Sequence, residues 1–221
     1  MRITTKCSIT QYFNRMNQSS SSAELDPRVA FFDRHAPTWD HNGPDSAKTI
    51  NRLNSLFENT GLRAGQDVLE LGCGTGLYTV WLSERVAPGR VVGMDFSPQM
   101  LAQARKRDCR AEFRLADICS QRTTDDLFDA VFCFNAFPHF RDAVAALRNI
   151  RDSLRPKGIF IVLHLLGSAK LNAFHHSIPG PVAHDRLPAV SQWSVWLEPL
   201  GLGIEQLTDD DDLFLLRAQK K

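Results

Sequence analysis

The sequence contains no long hydrophobic run and almost no net charge. None of its apolar stretches approaches the roughly 20 consecutive residues that a helix across a bilayer requires, so we expect no membrane-spanning segment. Lysine and arginine number 26 and aspartate and glutamate 25, which leaves a formal net charge of +1. Proteins whose main task is to bind a phosphate backbone are usually more basic, so we expect no nucleic-acid partner.

The sequence contains few cysteines, and they lie far apart from one another. The five cysteines form no C-x-x-C motif, which disfavours a zinc ribbon or a thioredoxin-type redox site. Reduced, partly buried thiols are typical of cytoplasmic proteins, and we therefore predict a cytoplasmic location. The cysteines are Cys7, Cys73, Cys109, Cys119 and Cys133.

The chain also lacks an internal repeat, and its 221 residues suit one globular domain. The first acid, Glu24, follows a stretch that contains Arg2, Lys6, Arg15 and a run of serines. We predict a flexible leader over residues 1–26. A leader that targets the protein to an organelle is the alternative.

From about residue 62 short apolar runs alternate with helical patterns. This alternation predicts a parallel sheet that is covered by helices on both faces, hence the α/β class. The next part, residues 171–188, is rich in His, Pro and Gly and is predicted to be irregular. The chain then ends in a helix and a hairpin. The predicted strands are residues 67–71, 90–94, 112–116, 129–134, 159–165, 204–208 and 212–217.

Residues 70–76 read Glu-Leu-Gly-Cys-Gly-Thr-Gly between a predicted strand and a predicted helix. Glycines at alternate positions let a backbone turn sharply and lie close to a ligand. Asp95 ends the next strand, where an acid commonly accepts hydrogen bonds from ribose hydroxyls. The G-x-G-x-x-G pattern of dinucleotide dehydrogenases does not fit, because Leu77 and Thr79 stand where it needs glycine, and a phosphate-loop lysine is also absent.

These motifs resemble those of the class I S-adenosylmethionine-dependent methyltransferases, in particular the small-molecule, type 11-like domain. The likeness runs from about Phe31 to Arg217. Residues 68–76 resemble the family's first motif, residues 92–97 the second, residues 115–118 the third and residues 128–135 the fourth.

The resemblance implies S-adenosylmethionine as methyl donor and a set of residues that bind it. The glycines would embrace its methionine portion, and Glu70 its ammonium group. Asp95 would hold the ribose, Phe96 and Asp117 the adenine, and the end of the fourth motif would meet the ligand through backbone groups. The full set of predicted cofactor-binding residues is Trp39, Glu70, Gly72, Cys73, Gly74, Thr75, Gly76, Asp95, Phe96, Asp117, Ile118 and Asn135.

The resemblance also implies the architecture. It predicts a doubly wound, Rossmann-like sheet of seven mostly parallel strands with an antiparallel terminal strand. Residues 27–61 would form a helical lid and residues 62–221 the cofactor-binding core, with a His-rich cap at residues 167–188.

The function implied is transfer of a methyl group to a small-molecule acceptor by in-line displacement, with the accepting atom (O, S, N or C) left open. Asn135-Ala136-Phe137-Pro138 departs from the Asn/Asp-Pro-Pro-Tyr of enzymes that methylate DNA amines or glutamine amides, so that chemistry is disfavoured. The alternatives are a catalytically silent binding or partner protein of the same fold, and a methyltransferase acting on RNA or protein. The sequence does not indicate an oligomeric state.

Histidines are the candidate acid–base groups. Imidazole, with a pKa near 6.5, can take a proton from an acceptor, and we predict His139 and His164 as catalytic residues. A metal site lacks support from ligand spacing, and none is predicted. A purely structural role in the cap is the other alternative. The histidines in question are His139, His164, His175, His176 and His184.

Overall fold

The computed structural model describes residues 26–120 and 126–221. The predicted leader, residues 1–26, therefore lies outside the described residues except for Asp26. Across the described ranges, no helix has both the length and the apolar character needed to cross a membrane.

A seven-stranded sheet forms the centre of the molecule, in the order β3-β2-β1-β4-β5-β7-β6. Strands β1 to β5 pair in parallel, whereas β7 runs antiparallel to both of its neighbours. The predicted sheet with an antiparallel terminal strand is confirmed. The strands are β1 (Val68–Leu71), β2 (Val91–Asp95), β3 (Ala111–Leu115), β4 (Phe128–Phe134), β5 (Leu154–His164), β6 (Leu202–Asp210) and β7 (Leu213–Lys220).

Helices cover both faces of the sheet, and side chains start several of them. Asp45 begins α3 by accepting a hydrogen bond from the Lys48 N–H, and Gly61 ends it with φ +78°. Ser97 begins α5 in the same way, with Pro98 at the first position. The helices are α1 (Pro27–His35), α2 (Trp39–Asn42), α3 (Ser46–Thr60), α4 (Leu77–Val86), α5 (Pro98–Ala104), α6 (Ala143–Ser153), α7 (Ser168–Ser177) and α8 (Val190–Leu197).

The core lies on both sides of the sheet. Leu69, Val131 and Phe160 pack on one face with helices α6 and α8. Val68 and Ile161 pack on the other face with helices α3 and α4. Both faces of the central strands are buried, which explains why their sequences are almost continuously apolar.

Two segments differ from the sequence prediction. Strand β5 begins at Leu154 rather than at residue 159, because the expected turn is a bulge inside the strand, with Lys157 at φ +63°. The cap, expected to be irregular, contains helix α7. Only Leu171 and His175 are buried on this helix, so its sequence has no clear apolar face that would have revealed it.

Candidate active site

The glycine turn connects β1 to α4 in a left-handed backbone conformation. Gly72, Gly74 and Gly76 have φ values of +68°, +55° and +73°, which residues with a Cβ rarely adopt. A Cβ on Gly72 would also come within 2.4 Å of the Ala136 Cβ, whereas a Cβ on Gly74 would meet nothing within 4 Å. Gly72 is thus required for packing, while Gly74 leaves open space beside the backbone.

Asp95 ends β2 directly opposite this turn. Its carboxylate accepts hydrogen bonds from the N–H groups of Gly74 (2.8 Å) and Ser97 (2.8 Å). Burial raises the pKa of Asp95 to about 6, against the effect of these two hydrogen bonds. The carboxylate is therefore held in a fixed orientation at the end of the strand, and it exchanges its proton in weakly acidic solution.

Glu70 lies on β1 just before the turn and is buried. The Thr79 hydroxyl donates to its Oε2 at 2.6 Å. Burial and, to a smaller extent, the nearby Asp95 raise the pKa of Glu70 to about 7, against the effect of the Thr79 hydrogen bond.

Two cavities open beside the turn. The smaller has a volume of about 180 Å³ and the larger about 810 Å³. They meet at the carboxyl ends of the parallel strands, where ligands bind in open α/β sheets. The lining residues that they share are Gly72, Asp95, Phe96, His139 and Phe140.

Most of the predicted site residues line one or both cavities. Those in the smaller cavity alone are Trp39, Cys73, Gly74, Thr75 and Asn135. Asp117 and Ile118 line the larger one. Glu70, Gly76 and His164 are not among the lining residues of either cavity.

Asp117 lies on the wall of the larger cavity, after β3. Although burial raises the pKa of Asp117, hydrogen bonds from Arg141, Cys119 and Ser120 bring it below its ordinary value. Arg141 donates from Nη2 at 2.7 Å and the Cys119 N–H at 2.7 Å. The carboxylate is thus ionised, and donors of the protein already use part of its capacity to accept hydrogen bonds.

Asn135 follows β4 and adopts φ +52°, a conformation that asparagine tolerates better than most residues. Its N–H donates to the Leu163 carbonyl at 3.0 Å. The bend turns the chain away from the sheet and into the short 3-10 turn Phe137–His139. His139 thereby reaches the junction of the two cavities.

The N-terminal helical segment (helices α1 to α3) is bound to the rim of the site by two carboxylates. Asp33 accepts from the Ser97 hydroxyl at 2.6 Å and from the Gln99 N–H at 3.1 Å. Asp40 accepts from the Thr75 hydroxyl at 2.6 Å and pairs with Arg107. The segment is thereby held against the glycine turn and the start of α5.

His139 is paired with Asp185 of the cap. Its Nδ1 lies 2.7 Å from Asp185 Oδ2, and Arg28 of helix α1 donates from Nε to the same carboxylate at 2.9 Å. Although burial raises the pKa of Asp185, these two partners bring it below its ordinary value. Since an ionised carboxylate only accepts hydrogen bonds, Nδ1 of His139 carries a proton and the neutral ring has its lone pair on Nε2.

The other histidines of the predicted set lie in different surroundings. His176 and His184 are exposed, whereas His175 is buried and donates from Nδ1 to the Asp185 carbonyl at 2.9 Å. The His175 ring lies 5.1 Å from that of His139. Within residues 26–120 and 126–221, no three His, Cys, Asp or Glu side chains are placed to hold a metal ion.

His164 is buried at the end of β5, with its ring 6.4 Å from Phe214. Neither of its ring nitrogens has a hydrogen-bond partner among the described residues. Burial, with a smaller contribution from repulsion by His139 and His175, lowers the pKa of His164 to about 3. A neutral imidazole that lines neither cavity gives no support to the predicted contact with an acceptor.

Two further residues of the site were not predicted from the sequence. Asp185 orients His139, and Arg28 shares the Asp185 carboxylate. In the sequence, Asp185 is 157 positions from Arg28 and 46 positions from His139. No local pattern marks either pairing, and only the fold brings them together.

Comparison with known proteins finds a methyltransferase domain in the chain. Residues 68–158 match the family model described as a methyltransferase domain. The chain is 31% identical to phosphoethanolamine N-methyltransferase 1 of Arabidopsis thaliana over 125 residues. This alignment covers 55% of this chain and 25% of that protein. Over 105 residues the chain is 37% identical to the demethylmenaquinone methyltransferase of Thermus thermophilus, which covers 46% and 48%. The matches thus span between a quarter and a half of these relatives' length.

The fold is also shared with solved structures. A SAM-dependent methyltransferase from Aquifex aeolicus superposes with a TM-score of 0.62 at 18% identity, over 81% of this chain and all of that one. The strand order, the glycine turn, the carboxylate at the end of β2 and the sequence matches all indicate a methyltransferase. Residues 68–158 thus match a methyltransferase domain, and the fold is that of the class I S-adenosylmethionine-dependent methyltransferases, whose methyl donor is S-adenosylmethionine.

Proposed function

We propose that this chain transfers the methyl group of S-adenosylmethionine to a small-molecule acceptor by in-line displacement, with His139 as general base. One observation carries the proposal. Asp95, fixed by the Gly74 and Ser97 N–H groups, and His139, oriented by Asp185, lie at the junction of the same two cavities.

The residues present fit the donor. The open space beside Gly74 lets a ligand approach the backbone, and two of the carboxylates that line the larger cavity, Asp95 and Asp117, supply acceptors for ribose and adenine. S-adenosylmethionine supplies an electrophilic methyl group. In this assignment Phe96 and Ile118 flank the adenine, and residues 72–75 hold the methionine portion.

The role of His139 follows from its tautomer. With Nδ1–H donated to Asp185, the lone pair on Nε2 can take the acceptor's proton. Asp185 stabilises the imidazolium that then forms, and Arg28 keeps this buried carboxylate ionised. Alignment of acceptor and donor adds to the rate, since a positioned pair can gain roughly 7–11 kcal/mol over free reactants.

A small acceptor is favoured by the N-terminal helical segment, which we propose to act as a lid. Asp33 and Asp40 bind it across the site, and this leaves little room for a folded macromolecule. Several similar proteins are named for small acceptors, such as phosphoethanolamine. We keep the cytoplasm as the proposed location, because the thiols of the described residues are unpaired.

The test uses S-adenosylmethionine with a labelled methyl group and a cell extract separated by size. We expect S-adenosylhomocysteine to accumulate and the label to enter the small-molecule fraction, and the His139→Ala protein to lose both signals. Label in the RNA or protein fraction would overturn the small-molecule assignment. Cofactor binding without any labelled product would favour the silent binding protein instead.

A further inference from the structure

We infer that the acceptor is a small, uncharged, ring-bearing compound that is methylated on a hydroxyl oxygen. The inference rests on the proposed function and concerns the smaller cavity. Three properties of the described residues lead to it: the aromatic walls, the absence of unpaired cations, and the proton that His139 is placed to remove.

Aromatic side chains form the walls of the smaller cavity beyond the glycine turn. The Tyr78 and Phe134 rings meet edge to face at 5.1 Å, and the Phe32 and Trp39 rings at 5.6 Å. Such rings favour a flat apolar group between them. The four rings line the same cavity as the glycine turn that is assigned to the donor, so a flat acceptor held by them would lie beside the donor.

The charges beside this cavity disfavour an anionic acceptor. Among the described residues that line it there is no lysine or arginine. In the larger cavity, Arg28 and Arg141 are already paired with Asp185 and Asp117. A phosphate or carboxylate group would therefore lose its hydration without gaining a free cation. A phosphorylated amine, the acceptor named for the Arabidopsis thaliana relative, does not match these walls.

The accepting atom follows from the base. A neutral amine attacks with its own lone pair, whereas a hydroxyl oxygen becomes a strong nucleophile only as its proton leaves. The His139 ring lies 5.1 Å from that of Phe32, so the base stands against the aromatic wall. Nε2 takes the hydroxyl proton and the oxygen bonds to the methyl carbon. The carbon–sulfur bond of the donor breaks, and its electron pair remains on sulfur.

The first experiment measures acceptor binding by calorimetry on protein saturated with S-adenosylhomocysteine. The probes are catechol, aniline and phosphoethanolamine, which represent a ring hydroxyl, a ring amine and a charged aliphatic amine. We expect catechol to bind most tightly and, with S-adenosylmethionine, to give a methyl ether detected by mass spectrometry. Tighter binding of aniline or phosphoethanolamine overturns the inference.

The second experiment tests the walls. Phe32→Leu and Tyr78→Leu should each weaken catechol binding about tenfold, while S-adenosylhomocysteine binding and the unfolding temperature stay close to wild type. The matched control is Phe174→Leu, since Phe174 is exposed and is not among the residues that line either cavity. Because Tyr78 is only partly buried, its substitution should be tolerated even if that of Phe32 unfolds the protein.

The failures are distinguishable. If S-adenosylhomocysteine binds but none of the three probes does, the acceptor class is wrong and the proposed function stands. If S-adenosylhomocysteine itself does not bind, the proposed function fails, and the inference with it.

Discussion

The carboxylate of Asp185 lies 2.7 Å from Nδ1 of His139, although the two residues are 46 positions apart and belong to different elements. The same carboxylate is bound by Arg28 from helix α1. Three separate parts of the chain, namely α1, the turn after β4 and the cap, thus meet at one buried acid. This arrangement leaves Nε2 as the nitrogen of His139 that would act as the proposed base.

Removal of the base or of its orienting acid should lower turnover and leave the donor site intact. We expect His139→Ala to reduce kcat about 10²- to 10⁴-fold, the usual contribution of a general base. Asp185→Asn should also reduce kcat strongly, because an amide can donate to Nδ1 and so favour the wrong tautomer. The affinity for S-adenosylhomocysteine should change little in either variant. Unchanged kcat in both would contradict the assignment of the base.

Donor binding should depend on pH. Burial raises the pKa of Asp95 to about 6 and that of Glu70 to about 7, so both carboxyls hold protons in weakly acidic solution. An ionised Asp95 is the better acceptor for ribose hydroxyls, and binding should weaken up to about tenfold for each pH unit below 6. Calorimetry in buffers of different ionisation enthalpy should detect proton release on binding. A flat pH profile would count against the Asp95 assignment.

The same two carboxyls should affect the stability of the cofactor-free protein in the opposite sense. A raised pKa means that the folded state binds protons more tightly than the unfolded chain, so this contribution is lost as pH rises through 6 and 7. Glu70→Gln keeps a partner for Thr79 and should flatten the part of the unfolding profile near pH 7.

The glycine turn offers a paired test of packing and ligand approach. Gly72→Ala should lower the unfolding free energy by about 2–4 kcal/mol, from the left-handed backbone and a clash with Ala136. Gly74→Ala should cost only about 1–2 kcal/mol but should weaken donor binding. Adding Ala136→Gly should recover part of the stability lost in Gly72→Ala. Equal losses from both alanine substitutions would show that the two glycines do not differ in role.

His164 should be dispensable for catalysis. Its ring is buried without a hydrogen-bond partner among the described residues, so His164→Leu removes an unpaired polar group of similar size. We expect an unfolding temperature equal to or above that of the wild type, and kcat within about twofold. A folded His164→Leu protein that has lost turnover would restore the catalytic role predicted from the sequence.

The sequence carries most of the fold because its signals are local. The apolar strands, the Ser97-Pro98 helix start and the Gly61 helix end depend on neighbouring residues, and the structure has them as predicted. The cap helix α7 was missed because little of it is buried and its formation depends on tertiary contacts. The predicted strand β5 was too short because the bulge around Lys157 has the composition of a turn.

The candidate site divides in the same way. Gly74 and Asp95 belong to contiguous motifs with fixed spacing, so the proposed donor-binding half could be predicted from the sequence. Arg28, His139 and Asp185 are joined only by the folded arrangement, and the sequence offers several histidines without ranking them. His164 differs from His139 in burial and hydrogen bonding, two properties that composition and spacing do not record.

The central claim is that the junction of the two cavities binds the methyl donor through Asp95. Calorimetric titration of the purified protein with S-adenosylmethionine and S-adenosylhomocysteine, beside the Asp95→Ala variant, tests it most directly. We predict saturable binding of both compounds at one site per chain, and a loss of at least about tenfold in affinity in the variant, whose folding is checked by its unfolding temperature. Absence of binding in the wild type, or equal affinity in the variant, would contradict the account.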